Sequence, residues 1–401
     1  MREGTFKMNK IASLVAFCFM AFCSMAWGNS AVKSMTGDEE PFKKGFTYLK
    51  WGWQFPEHAE RSFKALKETG AEWVGFVPIY YMDAVDSTVV YRHPVLSPTD
   101  EELVSAIRTA RKYGFKIMLK PHIDVIRDDW KSDWPVNHGG SREPWLARYR
   151  AFIDRYPVSF EGPENEKNWM RRMFSWRGDI KPSGEAAIKR WFAGYTRYIL
   201  GFAHMAASEG AELFCAGTEL EKLAHRNTDW KKVILEIKKI YKGPLFYDAN
   251  HDGVEKAGFW NLLDYIGISA YYPAAARLDP SEYEIRSMLG AALNKLEKTV
   301  ASLERKHGRI FKVLFGEAGY TDFRGTTKEP WNFMLTNGIS EAEQALAYKV
   351  SLELYSKKEW LKGVFFWRWN VEPEDTYFEY DHYSPYRKTA EEEIIRAWRN
   401  R

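Results

Sequence analysis

Two apolar runs in this chain stop at a glycine and then present a glutamate. "LFCAGTE" closes on Glu219, and "VLFGEAG" carries Glu317. A glycine beside the acid lets the backbone approach its neighbours closely. Two carboxyls that a fold brings face to face can share work on one bond. One protonates a leaving oxygen while the other meets the positive charge growing at an anomeric carbon, which is how a glycosidic bond is cut. A carboxyl separation of about 5–5.5 Å would define a double displacement. Either glutamate alone could be a solvated loop acid, so their pairing carries the catalytic reading. Glu221 competes with Glu219, but it stands beside Lys222 in the next turn, where an acid suits a helix start.

Such a pair needs elements that bring it together. From Lys44 onward, short β-branched or aromatic runs alternate with longer helical patterns. The expected strands begin at Lys44, Glu72, Phe115, Ala211, Pro244, Tyr265, Phe311 and Gly363. Most are continuous apolar runs, which suits a parallel sheet covered on both faces. The helices between them have recognisable starts. Thr99 and Glu102 form a capping box, Ser340 and Glu343 repeat it, and Asp279 with Pro280 reads as a cap followed by the first helical residue. Eight strand–helix alternations predict an α/β fold, a single (β/α)8 TIM barrel. A doubly wound open sheet is the structural alternative, but no glycine-rich phosphate loop follows the first strand. The expected organisation is an export signal at 1–26, a loose lead-in at 27–43 and one catalytic barrel at 44–401. A long excursion, residues 122–182, follows the third strand and is rich in Trp, Arg and Asp. An insertion of that kind shapes a barrel's mouth.

Barrel enzymes work where strands end. Besides Glu219 on strand four and Glu317 on strand seven, those ends carry Trp51 on the first strand and Lys120, His122 and Asp124 on the third. Tyr271 leaves the sixth, and Trp367 and Trp369 leave the eighth. The tryptophans could form a sugar platform, although alternating strand residues face opposite ways and either could be core. His122, and less so Asp124, could bind sugar hydroxyls, with Lys120 and Trp51 beside them. No third ligand stands at a telling spacing, so no metal site is expected. No cofactor motif occurs either.

"GTEL", "GISAYYP", "FGEAGY" and "FFWRWN", with "KPHID" on the third strand, resemble glycoside hydrolase family 113. These are β-mannanases of a clan of retaining (β/α)8 hydrolases with glutamates on strands four and seven. Most clan members carry Asn before the acid/base glutamate. This chain has Thr218, as family 113 does. The resemblance implies Glu219 as acid/base, Glu317 as nucleophile and a hydrogen bond from Tyr271 to Glu317. It implies β-1,4-mannan as substrate. Galactan, glucan and xylan stay open, as does a sugar-binding barrel without catalysis.

The bulk composition agrees with this reading. The chain has 401 residues, of which 45% are hydrophobic and 28% charged, with a net charge of +4. That balance excludes a polyanion partner such as nucleic acid as the default, and leaves a polysaccharide or oligosaccharide. Aromatics reach 16%, including 17 Trp, more than a core requires. Lys7 and Lys10 precede the apolar run Ile11–Ala26, the pattern of an export signal. That run is short for a span of roughly 20 residues, so no stable membrane insertion is expected and the protein is periplasmic or secreted. Only Cys215 remains after the signal, so no internal disulfide forms. A monomer is the expected state.

Overall fold

Strands that are apolar on both faces must be covered on both, and closing them into a ring with helices outside does so. In the computed structural model, residues 40–50, 56, 58–93, 96–126, 174–333, 335, 337–371 and 381–399 are described. The expected signal at 1–26, most of the lead-in, Trp51 and most of the 122–182 excursion lie outside them. Residues 42–401 make one compact unit. In chain order the strands are β1 (Lys43–Tyr48), β2 (Trp73–Phe76), β3 (Ile79–Met82), β4 (Lys116–Leu119), β5 (His122–Ile126) and β6 (Phe174–Ser175). They continue as β7 (Leu213–Thr218), β8 (Leu245–Asn250), β9 (Tyr265–Ser269), β10 (Lys312–Ala318) and β11 (Leu361–Phe366). The order β1-β11-β10-β9-β8-β7-β4-β2 closes a parallel barrel of eight strands, the (β/α)8 fold expected. Strands four and seven of the barrel are thus β7 and β10.

The helices are α1 (Ala59–Glu68), α2 (Asp100–Lys112), α3 (Glu185–Ser208), α4 (Asn227–Ile240), α5 (Glu282–His307), α6 (Glu341–Tyr355) and α7 (Thr389–Arg399). Between β8 and β9 the connection is made of two 3-10 turns, Val254–Lys256 and Trp260–Leu262. The buried rings of Phe259 and Trp260 fill the space beside the barrel there. The second and third apolar runs each split in two. Pro78 and Pro121 lack an N–H for the barrel ladder, and beyond them β3 and β5 leave the barrel to form a three-stranded sheet with β6. That sheet carries His122 and Asp124 above the mouth.

The helix caps agree in part. Thr99 and Glu102 make the full capping box. Ser340 accepts from the Glu343 backbone N–H, but the Glu343 carboxylate turns away from the cap. It accepts from Gly325 N at 2.8 Å, Thr327 N at 3.0 Å and Thr327 Oγ1 at 2.6 Å, tying the loop after β10 to α6. Ser281, not Asp279, caps α5; Asp279 accepts from Arg324 Nε at 2.6 Å.

Inside the barrel, Trp73, Met118, Leu213, Cys215, Phe246, Tyr265, Leu314 and Phe365 pack as one cluster. Outside it, much of the aromatic excess goes into the layer between barrel and helices. Trp191 stacks on Tyr195 with ring centroids 4.9 Å apart. Trp230 packs edge-on against Tyr195 and Tyr247 at 5.3 and 5.1 Å. Thus the aromatic composition reports on the shell as much as on a ligand cleft.

Glu343 is buried and charge-assisted hydrogen bonds are the strong ones. Glu343→Ala should therefore lower unfolding stability by about 1–3 kcal/mol, read by denaturant titration.

Candidate active site

The strand that leads to Glu219 does not alternate strictly. Leu213 and Cys215 face into the barrel, and the pairing of β7 with β8 then shifts register between Cys215 and Thr218. Such a bulge re-aims the following side chains. It turns Gly217 toward the outer layer, where an added Cβ would come within 2.9 Å of Trp230, Tyr195 and Tyr247. Glu219 itself takes a left-handed backbone, φ 51°, an uncommon conformation for a residue with a side chain. Its N–H donates to the Asp248 carbonyl at 2.7 Å. β10 shifts register in the same way, between Phe315 and Glu317 against β9. Both glutamate-bearing strands therefore break their ladders just before the acid.

Glu317 is 4% exposed and sits among donors. Lys120 Nζ lies 2.6 Å from its Oε1, His122 Nε2 lies 3.3 Å from the same oxygen, and the Tyr271 hydroxyl donates to Oε2 at 3.0 Å. Burial pushes its pKa up, but Lys120, His122 and Arg177 outweigh that and hold it well below the usual carboxylate range. Glu219 is 7% exposed, and its Oε2 accepts from Arg177 Nη1 at 3.1 Å and from the Trp176 indole at 3.4 Å. Burial, reinforced by the Glu317 charge, raises its pKa despite the pull of Arg177 and Lys120. One carboxyl is held ionised while the other is biased toward its proton, the division of labour that acid/base chemistry needs.

Two cations hold the cluster together. Lys120 is fully buried and contacts Asp248 Oδ2 at 2.5 Å, Glu317 Oε1 at 2.6 Å and the Gly316 carbonyl at 3.2 Å. Three acceptors account for the three N–H bonds of an ammonium, so Lys120 lies beneath Glu317 and has no donor left for a sugar. Arg177 spans Asp124 Oδ1 at 2.6 Å, the Ile123 carbonyl at 3.1 Å and Glu219. Asp248 is completely buried. Burial pushes its pKa up to about 7, with Lys120 pulling it down and Glu317 pushing it up.

His122 is 1% exposed, and its ring stacks on Trp367 at 5.9 Å with planes 5° apart. Burial and then Arg177 push its pKa down to about 3, so it faces Glu317 as a neutral imidazole. Trp367 is half-buried at the mouth, and the Trp367–Arg368 peptide is cis. Trp369 does not join the site. It is 1% exposed, donates from its indole to the Ser62 carbonyl at 3.0 Å and packs on Phe46, the core alternative that strand alternation allows. Glu221 opens a 3-10 turn, accepts from Lys256 and lies 3.5 Å from Asn250 Nδ2, away from Glu317's donors. Sequence reasoning passes over Arg177, Trp176 and Asp248. The first two close the long excursion, whereas Asp248 ends the fifth apolar run, "LFYDAN", where a search of every strand end finds it.

A closed parallel barrel whose fourth and seventh strands end in two buried glutamates of opposite proton bias has the build of a (β/α)8 glycoside hydrolase. The model of Glycoside Hydrolase Family 113 matches residues 43–159 and 165–388, and the chain belongs to that family. Among solved structures, a complex of a family 113 β-1,4-mannanase is similar over 90% of this chain and 100% of its own, with TM-score 0.68 and 23% identity. The family 113 β-mannanase of Alicyclobacillus acidocaldarius in complex with ManMIm has the same TM-score and identity, over 90% and 98%. The β-glucuronidase of Ruminococcus gnavus is similar at TM-score 0.51 and 12% identity, over 89% of this chain and 50% of that one. At these identities the likeness is one of fold. No curated protein matches the chain.

The two tryptophans of β11's end should separate by substitution. Trp369→Ala should cost about 3–5 kcal/mol of stability. Trp367→Ala should cost clearly less and act mainly on substrate affinity. Thermal unfolding and KM measured on both variants check this, and equal destabilisation would place both rings in the core.

Proposed function

We propose that this enzyme hydrolyses β-1,4-mannan by double displacement, with Glu317 as nucleophile and Glu219 as acid/base. The observation that carries the reading is the opposite proton bias of the two carboxyls, set by Lys120 and His122 on Glu317 and by burial on Glu219. In the first step Glu317 bonds to the anomeric carbon as the glycosidic C–O bond breaks, and the departing oxygen takes the proton of Glu219. In the second, water attacks that carbon, Glu219 takes its proton, and the ester bond returns its electrons to Glu317. Tyr271 orients Glu317 through its hydrogen bond, and Trp367 offers its exposed part to the sugar. Mannan as substrate is supported by the family and by the β-1,4-mannanases that share the fold. The export signal read at residues 1–26 accords with a polymer met outside the cytoplasm.

Glu219→Ala should lose roughly 100-fold or more on mannan, yet still react with an aryl β-mannoside whose leaving group needs no acid. Azide should then restore turnover and give the β-mannosyl azide. An α-azide, or full activity of the variant on mannan, contradicts the assignment. Release of sugar from galactan or xylan but not mannan would move the substrate and leave the mechanism standing.

The pH profile follows from the same charges. Activity needs Glu317 ionised and Glu219 protonated. The depressed pKa of Glu317 places the acid limb low, and the raised pKa of Glu219 sets the alkaline limb. Arg177 pulls Glu219 down, so Arg177→Met should move the alkaline limb of kcat/KM to higher pH. A shift to lower pH would mean that Glu219 is not the acid.

A further inference from the structure

We propose that Asp248 and Lys120 act as a positioning pair, in which Asp248 takes over as the counter-ion of Lys120 when Glu317 becomes an uncharged glycosyl ester. This rests on the double-displacement reading above. Lys120 contacts two carboxylates at nearly equal distance, 2.5 Å for Asp248 and 2.6 Å for Glu317. In that mechanism only one of them keeps its charge. When Glu317 bonds to the anomeric carbon, the negative charge passes to Glu219, which has given up its proton. Lys120 then stands beside an ester. A buried ammonium without a partner is costly, and Asp248 is the group that remains beside it.

Asp248 is enclosed by groups that fit a carboxyl closely. It is completely buried. Ser269 Oγ donates to its Oδ2 at 3.1 Å. The space for it comes from Gly316, whose missing Cβ would lie 2.5 Å from Asp248 Oδ1. Among the described residues that oxygen has no hydrogen-bond partner. The two carboxyls are also linked electrostatically. The charge on Glu317 raises the pKa of Asp248 more than a charge on Glu219 does, so moving the charge from Glu317 to Glu219 weakens the push on Asp248 when Lys120 needs it. In the second step the charge returns to Glu317, and the ammonium is shared again.

Asp248→Asn keeps the shape and removes the charge. A 2-deoxy-2-fluoro-β-mannosyl fluoride, which forms the glycosyl-enzyme and releases it slowly, reads both half-reactions by intact mass. In the wild type the adduct should form on Glu317. In Asp248→Asn it should form about tenfold more slowly or worse, because the ester leaves Lys120 unpaired, and decay faster than in the wild type on transfer to mannobiose. A merely structural defect slows both rates together, so a parallel fall, or two unchanged rates, overturns the proposal. If Asp248→Asn does not fold, the double variant Lys120→Met/Asp248→Asn leaves no orphan charge. Its adduct should decay more slowly than that of the wild type, and the acid limb of adduct formation should move to higher pH. An unmoved acid limb there overturns the pair's role. Absence of any adduct in the wild type would instead refute double displacement, which separates the two failures.

Discussion

A carboxylate inside a closed barrel has to be paired, because removing an ion from water costs several kcal/mol even after the protein relaxes. Three carboxyls, Glu219, Glu317 and Asp248, are buried at the barrel's mouth. Two cations, the buried Lys120 and the half-buried Arg177, are distributed among them and Asp124. The distribution is uneven. Glu317 receives Lys120, His122 and Tyr271, whereas Glu219 receives Arg177 shared with Asp124 and an indole. Equal shares would leave two similar acids. The unequal shares bias Glu317 toward its ionised form and Glu219 toward its proton.

The fold serves that allocation through its irregularities. Regular strands would place side chains alternately in and out, yet the register shifts in β7 and β10 fall just before Glu219 and Glu317. The left-handed backbone of Glu219 and the Gly217 contact with Trp230 make the turn possible. Pro78 and Pro121 then lift β3 and β5 out of the barrel. The small sheet so formed holds Asp124 and, through β6 and the turn after it, brings Arg177 back onto Glu219. The barrel supplies the acids; the small sheet supplies one of the two cations.

The barrel and its two glutamates were legible in the sequence because both depend on local pattern. Continuous apolar runs signal parallel strands, and a glycine next to an acid at their ends marks a close approach. Lys120 was legible as a strand-end residue, but whether its ammonium points to a sugar or to a carboxylate depends on Asp248, which is 128 positions away. Arg177 lies 42 positions from Glu219, at the end of a stretch without periodicity, so nothing local marks it. Trp369 illustrates the limit of residue type as a signal. Trp367 and Trp369 share one strand end, and only the three-dimensional packing puts one ring beside His122 and the other against Phe46.

The central claim is that burial and the surrounding charges together bias Glu317 toward its ionised form and Glu219 toward its protonated form in the same resting enzyme. Carbon-13 NMR of the glutamate side-chain carboxyls across pH, assigned with Glu219→Gln and Glu317→Gln, measures this directly. The account predicts that Glu317 stays ionised well below the usual carboxyl range, that Glu219 titrates above it, and that Glu219 moves down once Glu317 is converted to an ester. A Glu317 that titrates above Glu219 would contradict it.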